Sequence, residues 1–96
     1  MIKHIVMLKL RENTPELIEK LSSSILSMRE NISQLRSIEV GVDIVHSERS
    51  YDLVLIAEFD TMQALAEYQA HSYHCNVVKK AFEDSVIGTV AIDYEI

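Results

Sequence analysis

The chain is expected to form an α+β, ferredoxin-like domain in the order β-α-β-β-α-(α)-β. That is a four-stranded antiparallel sheet with helices on one face, closed by a second copy into a dimeric α/β barrel. Three observations predict this. Four segments carry apolar residues at a period of two, and the longer segments between them repeat at the helical period. That order fits the split βαβ unit, whose helices share one side of the sheet. The opening strand is apolar on both faces at its middle, so both faces must be covered.

Ile2 to Leu10 is the opening strand. Ile2, His4, Val6, Leu8 and Leu10 share one face; Lys3, Ile5, Met7 and Lys9 share the other. A chain of 96 residues cannot supply two helical layers, so the second cover is expected from a partner copy. Arg11 to Asn13 turn the chain. Thr14 suits an N-cap, Pro15 the first helical position, and Glu16 the positive helix end. The helix is expected to run to about Ile32, with Leu17, Leu21, Ile25, Met28 and Ile32 as its apolar stripe, widened by Ile18 and Leu26. Ser22, Ser23 and Ser24 read as solvent face, although Ser22 can reach the stripe's edge.

Arg36 to Val45 is the second strand, with Ile38, Val40, Val42 and Ile44 on one face. Gly41 inside it signals a bulge or a close backbone approach. His46 to Ser50 is a polar loop. Tyr51 to Phe59 is the third strand, pairing antiparallel with the second. Asp60 or Thr61 caps the next helix. Ser72 offers a fresh N-cap, so the helix is expected to break near His71 and restart as a short one carrying Val77, Val78, Ala81 and Phe82. Val86 to Tyr94 is the last strand. Ile5, Met7 and Val54 would leave the bare sheet face apolar, and pairing two sheets as a homodimer covers it.

The composition narrows the function. One domain is all that 96 residues hold, and 48% hydrophobic content with 2 Gly and 1 Pro argues for order throughout. A net charge of −6 and a pI of about 5.1 exclude the basic face that nucleic acid or anionic lipid requires. The single cysteine cannot form an internal disulfide, which suits a reducing, cytoplasmic setting. No apolar run approaches the roughly 20 residues of a membrane span, and the N-terminus reads as a strand rather than a leader.

Proton-handling groups concentrate in Glu67 to Cys75, Glu-Tyr-Gln-Ala-His-Ser-Tyr-His-Cys, which holds two of the four histidines and two of the four tyrosines. Together with Ile2-Lys3-His4-Ile5-Val6, Val40-Gly41, Tyr51-Asp52 and Asp93-Tyr94, this stretch resembles the stress-responsive dimeric α/β-barrel (Dabb) domain family over almost the whole chain. The resemblance implies a barrel shared by two subunits and a domain of unassigned activity. It also points to the fold-related plant polyketide (olivetolic acid) cyclases, which close a poly-β-keto thioester by aldol condensation without a cofactor. Their tyrosine and histidine match Tyr68 and His74, and a first-strand histidine matches His4. Some members bind magnesium near the end of the first helix, partly through main-chain oxygens. The bulky aromatics that line the cyclases' pocket are replaced here by Leu21, Ser22 and Ile25, which does not suit a long alkyl substrate.

Geometry alone supports two readings of these groups. Tyr68, His71 and His74 lie three residues apart, and a break at Ser72 lets His74 turn toward the sheet that carries His4. A neutral His74 can then take a proton α to a carbonyl while Tyr68 hydrogen-bonds the enolate oxygen. Val6, Leu8, Leu21, Ile25, Val40, His71 and Val77 would line such a pocket. The plainer reading makes His71 and His74 helix-end residues bonding main-chain carbonyls, His4 a core histidine and His46 a surface one. His71, His74 and Cys75 lack a distant second ligand group, so no metal is expected, and Cys75 reads as a plain thiol. No phosphate loop occurs. Three functions follow: a stress-associated protein binding a small carbonyl or polyketide-like compound, a cofactor-free cyclase, lyase or isomerase, and a cofactor-free monooxygenase of the dimeric-barrel type.

Overall fold

In the computed structural model, which describes residues 1–96, β1 (Ile2–Leu10) is a central strand. It pairs with β3 (Leu53–Phe59) on one side and β4 (Val86–Glu95) on the other, and β2 (Ser37–Val42) pairs with β3. The sheet is antiparallel throughout, in the order β2-β3-β1-β4. The helical elements are α1 (Pro15–Leu26), α2 (Met28–Asn31), α3 (Met62–Ala70), a π-helical turn (His74–Val78) and α4 (Lys79–Phe82). This is the ferredoxin-like arrangement expected from the sequence. None of the helices is long and apolar enough to cross a membrane.

The core fills the space between one sheet face and the helices. Ile2, Leu8, Leu10, Leu53, Leu55, Ala57, Phe59 and Ile38 come from the sheet; Leu21, Ile25, Met28, Leu65, Tyr68 and Val78 come from the helical layer. The opposite sheet face is apolar and bare. Cross-strand register sets Ile5 beside Ile56 and Ile92, and Met7 beside Val54 and Val90, with Ile92 58% exposed.

Four boundaries differ from the sequence expectation. The first helix breaks at Ser27, whose hydroxyl donates to the Ser24 carbonyl at 2.6 Å and lies 2.7 Å from the Tyr73 hydroxyl. Ile32 lies beyond the helices with extended backbone yet stays buried. β2 stops at Val42 because the Asp43 carboxylate accepts the His46 N–H at 2.7 Å and His46 turns to φ 56°; Ile44, expected on the strand's apolar face, is 87% exposed. β3 starts at Leu53 because Asp52 turns its carboxylate inward to accept the Leu10 N–H at 2.8 Å. The restart after α3 is capped by His71 rather than by Ser72.

Gly41 lies opposite Val54, and a Cβ there would sit 2.8 Å from Val54 Cγ1. Valine has little rotamer freedom to yield. Gly41→Ala is therefore expected to lose about 1–2 kcal/mol in urea unfolding, and a neutral result would show that the β2–β3 pair relaxes freely.

Candidate functional site

Tyr68 is placed by α3. Thr61 starts that helix by accepting the Ala64 N–H on its hydroxyl at 3.1 Å. Leu65 and Tyr68, three residues apart, then point into the core, and Tyr68 is fully buried. The helix ends at His71, whose N–H donates to the Tyr68 carbonyl at 3.1 Å. His71 also opens the next segment. Its carbonyl accepts the Cys75 N–H at 3.0 Å, and its Nδ1 accepts the Tyr73 N–H at 3.0 Å. The imidazole thus serves an orphan amide at a helix start, not the carbonyl at a helix end.

The π-helical turn follows at once, with the Lys79 N–H donating to the His74 carbonyl. Such widened turns are uncommon and recur at functional sites. His74, at its first position, has its ring centroid 4.6 Å from that of Tyr68. Phe59 of β3 lies 4.9 Å from the Tyr68 ring, and His4 of β1 meets it edge-on at 5.9 Å. His4 Nδ1 is hydrogen-bonded to Asp93 Oδ1 of β4, its partner in the strand register. The structure therefore brings Tyr68, His74 and His4 together, and adds Phe59 and Asp93.

Two atoms of this cluster are buried without a hydrogen-bond partner in the protein: the Tyr68 hydroxyl and His74 Nδ1. An unpaired buried polar group costs about 1–3 kcal/mol, so two on adjacent rings form an unusual local debt of stability. Burial pushes the Tyr68 hydroxyl up to about 12. Burial also pushes His74 down, helped by the Lys79 charge and opposed by the Gln69 main-chain oxygen. At neutral pH, Tyr68 is thus a hydrogen-bond donor and His74 an uncharged imidazole.

The His74 shift has a measurable consequence. Because the folded-state pKa lies below the ordinary 6.5, the unfolded chain takes up the proton first as pH falls. This group's contribution to stability is complete above about pH 6.5, falls as the pH drops below it, and levels off under the folded-state pKa. His74→Gln is expected to flatten that part of the stability profile in urea unfolding between about pH 7.5 and about pH 5. An unchanged slope would contradict the assignment.

The expected wall residues divide. Leu8, Leu21 and Ile25 are core residues, and Val6 and Val40 are half-buried against that core. His71 is half-buried. Val77 does not occupy the interior: it is 43% exposed, and Val78 takes the buried position. The pentad spacing of the π-helical turn, invisible in the sequence, decides which valine turns inward. No group of three His, Cys, Asp or Glu side chains converges on a common point. Neither Tyr68 nor His74 lines any of the four surface grooves. One groove, of about 260 Å³, reaches the cluster through Asp93 and is otherwise lined by Ile2, Met62, Tyr94 and Glu95.

Comparison with known proteins places the chain. The family model for the stress responsive A/B barrel domain matches residues 2–96. A dimeric protein of unknown function with a ferredoxin-like fold from Bacteroides fragilis is 28% identical. It superposes with a TM-score of 0.86 over 99% of this chain and 95% of its own. A protein from Arabidopsis thaliana is 25% identical, with a TM-score of 0.86 over 100% of this chain and 95% of its own. A hydroxynitrile lyase from Passiflora edulis shares the fold at 12% identity, with a TM-score of 0.84 over 99% of this chain and 92% of its own. No curated protein matches the chain in sequence.

Proposed function

The chain belongs to the stress responsive A/B barrel domain family, and from that premise we propose that it is a homodimeric binding protein for a small carbonyl compound held by Tyr68 and His74. The observation that carries this reading is the pair of buried, unpartnered atoms, the Tyr68 hydroxyl and His74 Nδ1. A ligand carbonyl oxygen accepts from the Tyr68 O–H, while the neutral His74, bonded to the Gln69 main-chain oxygen, offers its unpartnered Nδ1 as an acceptor beside it. Leu8, Leu21 and Ile25 belong to the same buried core as Tyr68, which favours a compact ligand over a long alkyl polyketide. The dimer reading rests on the bare apolar face around Ile5, Met7, Val90 and Ile92 and on the dimeric relative from Bacteroides fragilis. In this reading the two sheet faces pack together.

A second reading, cofactor-free chemistry at the α-carbon of that carbonyl, is favoured by the protonation states. With Tyr68 pushed up to about 12, its O–H stays available to an enolate oxygen. Cyclohexanone, a compact ketone, tests both. Its titration is expected to shift the ring resonances of Tyr68 and His74, and Tyr68→Phe is expected to weaken binding about tenfold. Saturating ketone that leaves both rings unmoved would end the carbonyl reading.

A further inference from the structure

Two imidazoles touch the Tyr68 ring, and only one has a counter-charge. His74 has no carboxylate bonded to it: its Nδ1 is unpartnered, and burial, Lys79, His4 and His71 all oppose its protonation, with only the Gln69 main-chain oxygen favouring it. His4 is different. Its Nδ1 is bonded to the Asp93 carboxylate, directly across the β1–β4 pair, while the residue is buried and its ring lies edge-on against Tyr68. Asp93 in turn faces the groove formed with Ile2, Met62, Tyr94 and Glu95.

We propose that Asp93 is a positioning residue that holds His4, rather than His74, as the proton acceptor of the Tyr68 site. This rests on the carbonyl reading given above. A carboxylate on Nδ1–H fixes the tautomer, leaves the Nε2 lone pair free, and stabilises the imidazolium that forms when Nε2 takes a proton. The step balances without any oxidant or reductant. The α-carbon loses a proton to His4 Nε2, the C–H electron pair becomes the enolate double bond, and the carbonyl electrons move onto the oxygen held by Tyr68. Return of the proton from Nε2 to carbon restores the ketone. In D2O the returning isotope is deuterium, so turnover is read as deuterium entering the ketone. Asp93 never touches substrate; it acts through the ring it orients. The groove on its far side gives the dyad contact with solvent for isotope exchange.

The test uses the full chain, cyclohexanone in D2O, and side-chain nitrogen NMR. Wild-type His4 is expected to carry its proton on Nδ1. Asp93→Asn is expected to lose that single tautomer and to slow deuterium incorporation about 100-fold, with Asp93→Glu restoring part of both. His74→Gln, which removes a ligand contact, is expected to raise KM while the exchange rate at saturating ketone falls less than about tenfold. A wild-type His4 protonated on Nε2 would overturn the proposal. So would an Asp93→Asn variant that exchanges at the wild-type rate while His74→Gln does not exchange. No exchange by the wild type would instead overturn the carbonyl reading beneath it, and the acceptor role with it. Melting curves of the Asn and Glu variants separate a folding defect from a lost tautomer.

Discussion

Tyr68→Phe is expected to produce a more stable protein that binds its ligand about tenfold more weakly. The ring stays: its contacts with Phe59, His4 and His74 do not involve the hydroxyl. What leaves is a buried O–H with no partner in the protein. Removing such a group gains about 1–2 kcal/mol, which in a domain of this size raises the melting temperature by roughly 4–8 °C per kcal/mol. Tyr68→Ala is the control, since it empties the ring's volume and is expected to lose about 3–5 kcal/mol. Opposite signs for Phe and Ala separate the hydroxyl from the ring. Unfolding and cyclohexanone titration on the same samples check both halves, and a Phe variant less stable than wild type would mean that the hydroxyl is satisfied within the folded protein.

The second large effect concerns the bare sheet face. Ile92→Asp places a carboxylate beside Ile5 on the exposed apolar surface. In an isolated domain that position is solvent-facing, and the substitution is nearly neutral, within about 0.5 kcal/mol. In a two-fold dimer it places two charges in an apolar interface, each costing several kcal/mol. The dissociation constant is therefore expected to rise more than about 1,000-fold, since each 1.4 kcal/mol is a factor of ten. Sedimentation at micromolar concentration reads this directly: wild type as a dimer, Ile92→Asp as a folded monomer. Two dimers, or two monomers, would contradict the sheet-to-sheet assembly.

How much of this was legible in the sequence depends on the range of the interaction concerned. β1 runs over Ile2–Leu10 as the alternation indicates, because a strand apolar on both faces has few alternatives. The helix break beside His71 was legible from local composition. The capping atom was not, because His71 Nδ1 competes with the Ser72 hydroxyl only in three dimensions. Ser27 ends α1 while bonded to Tyr73, 46 residues away, and no local propensity records that. Asp52 leaves β3 to serve Leu10, 42 residues distant. At the candidate site, residue type and family resemblance point to Tyr68, His74 and His4. In the sequence, Asp93 stands out only as part of the closing Asp93-Tyr94 motif. Its bond to His4 spans 89 residues, yet the antiparallel pairing of first and last strands sets the two opposite each other. Once β1 and β4 are neighbours, an acidic residue facing a histidine is the signal. The π-helical turn leaves no such trace, and the sequence pattern turns Val77 inward in consequence, where the structure buries Val78.

The proposed contact between a carbonyl oxygen and Tyr68 has a direct spectroscopic readout. Cyclohexanone labelled with carbon-13 at the carbonyl reports the hydrogen bond through its own chemical shift. With saturating protein, the bound carbonyl is expected to move downfield in wild type and to show magnetisation transfer to the Tyr68 and His74 rings, with the downfield shift lost in Tyr68→Phe. A carbonyl shift that matches free ketone, or that is identical in Tyr68→Phe, would contradict the account.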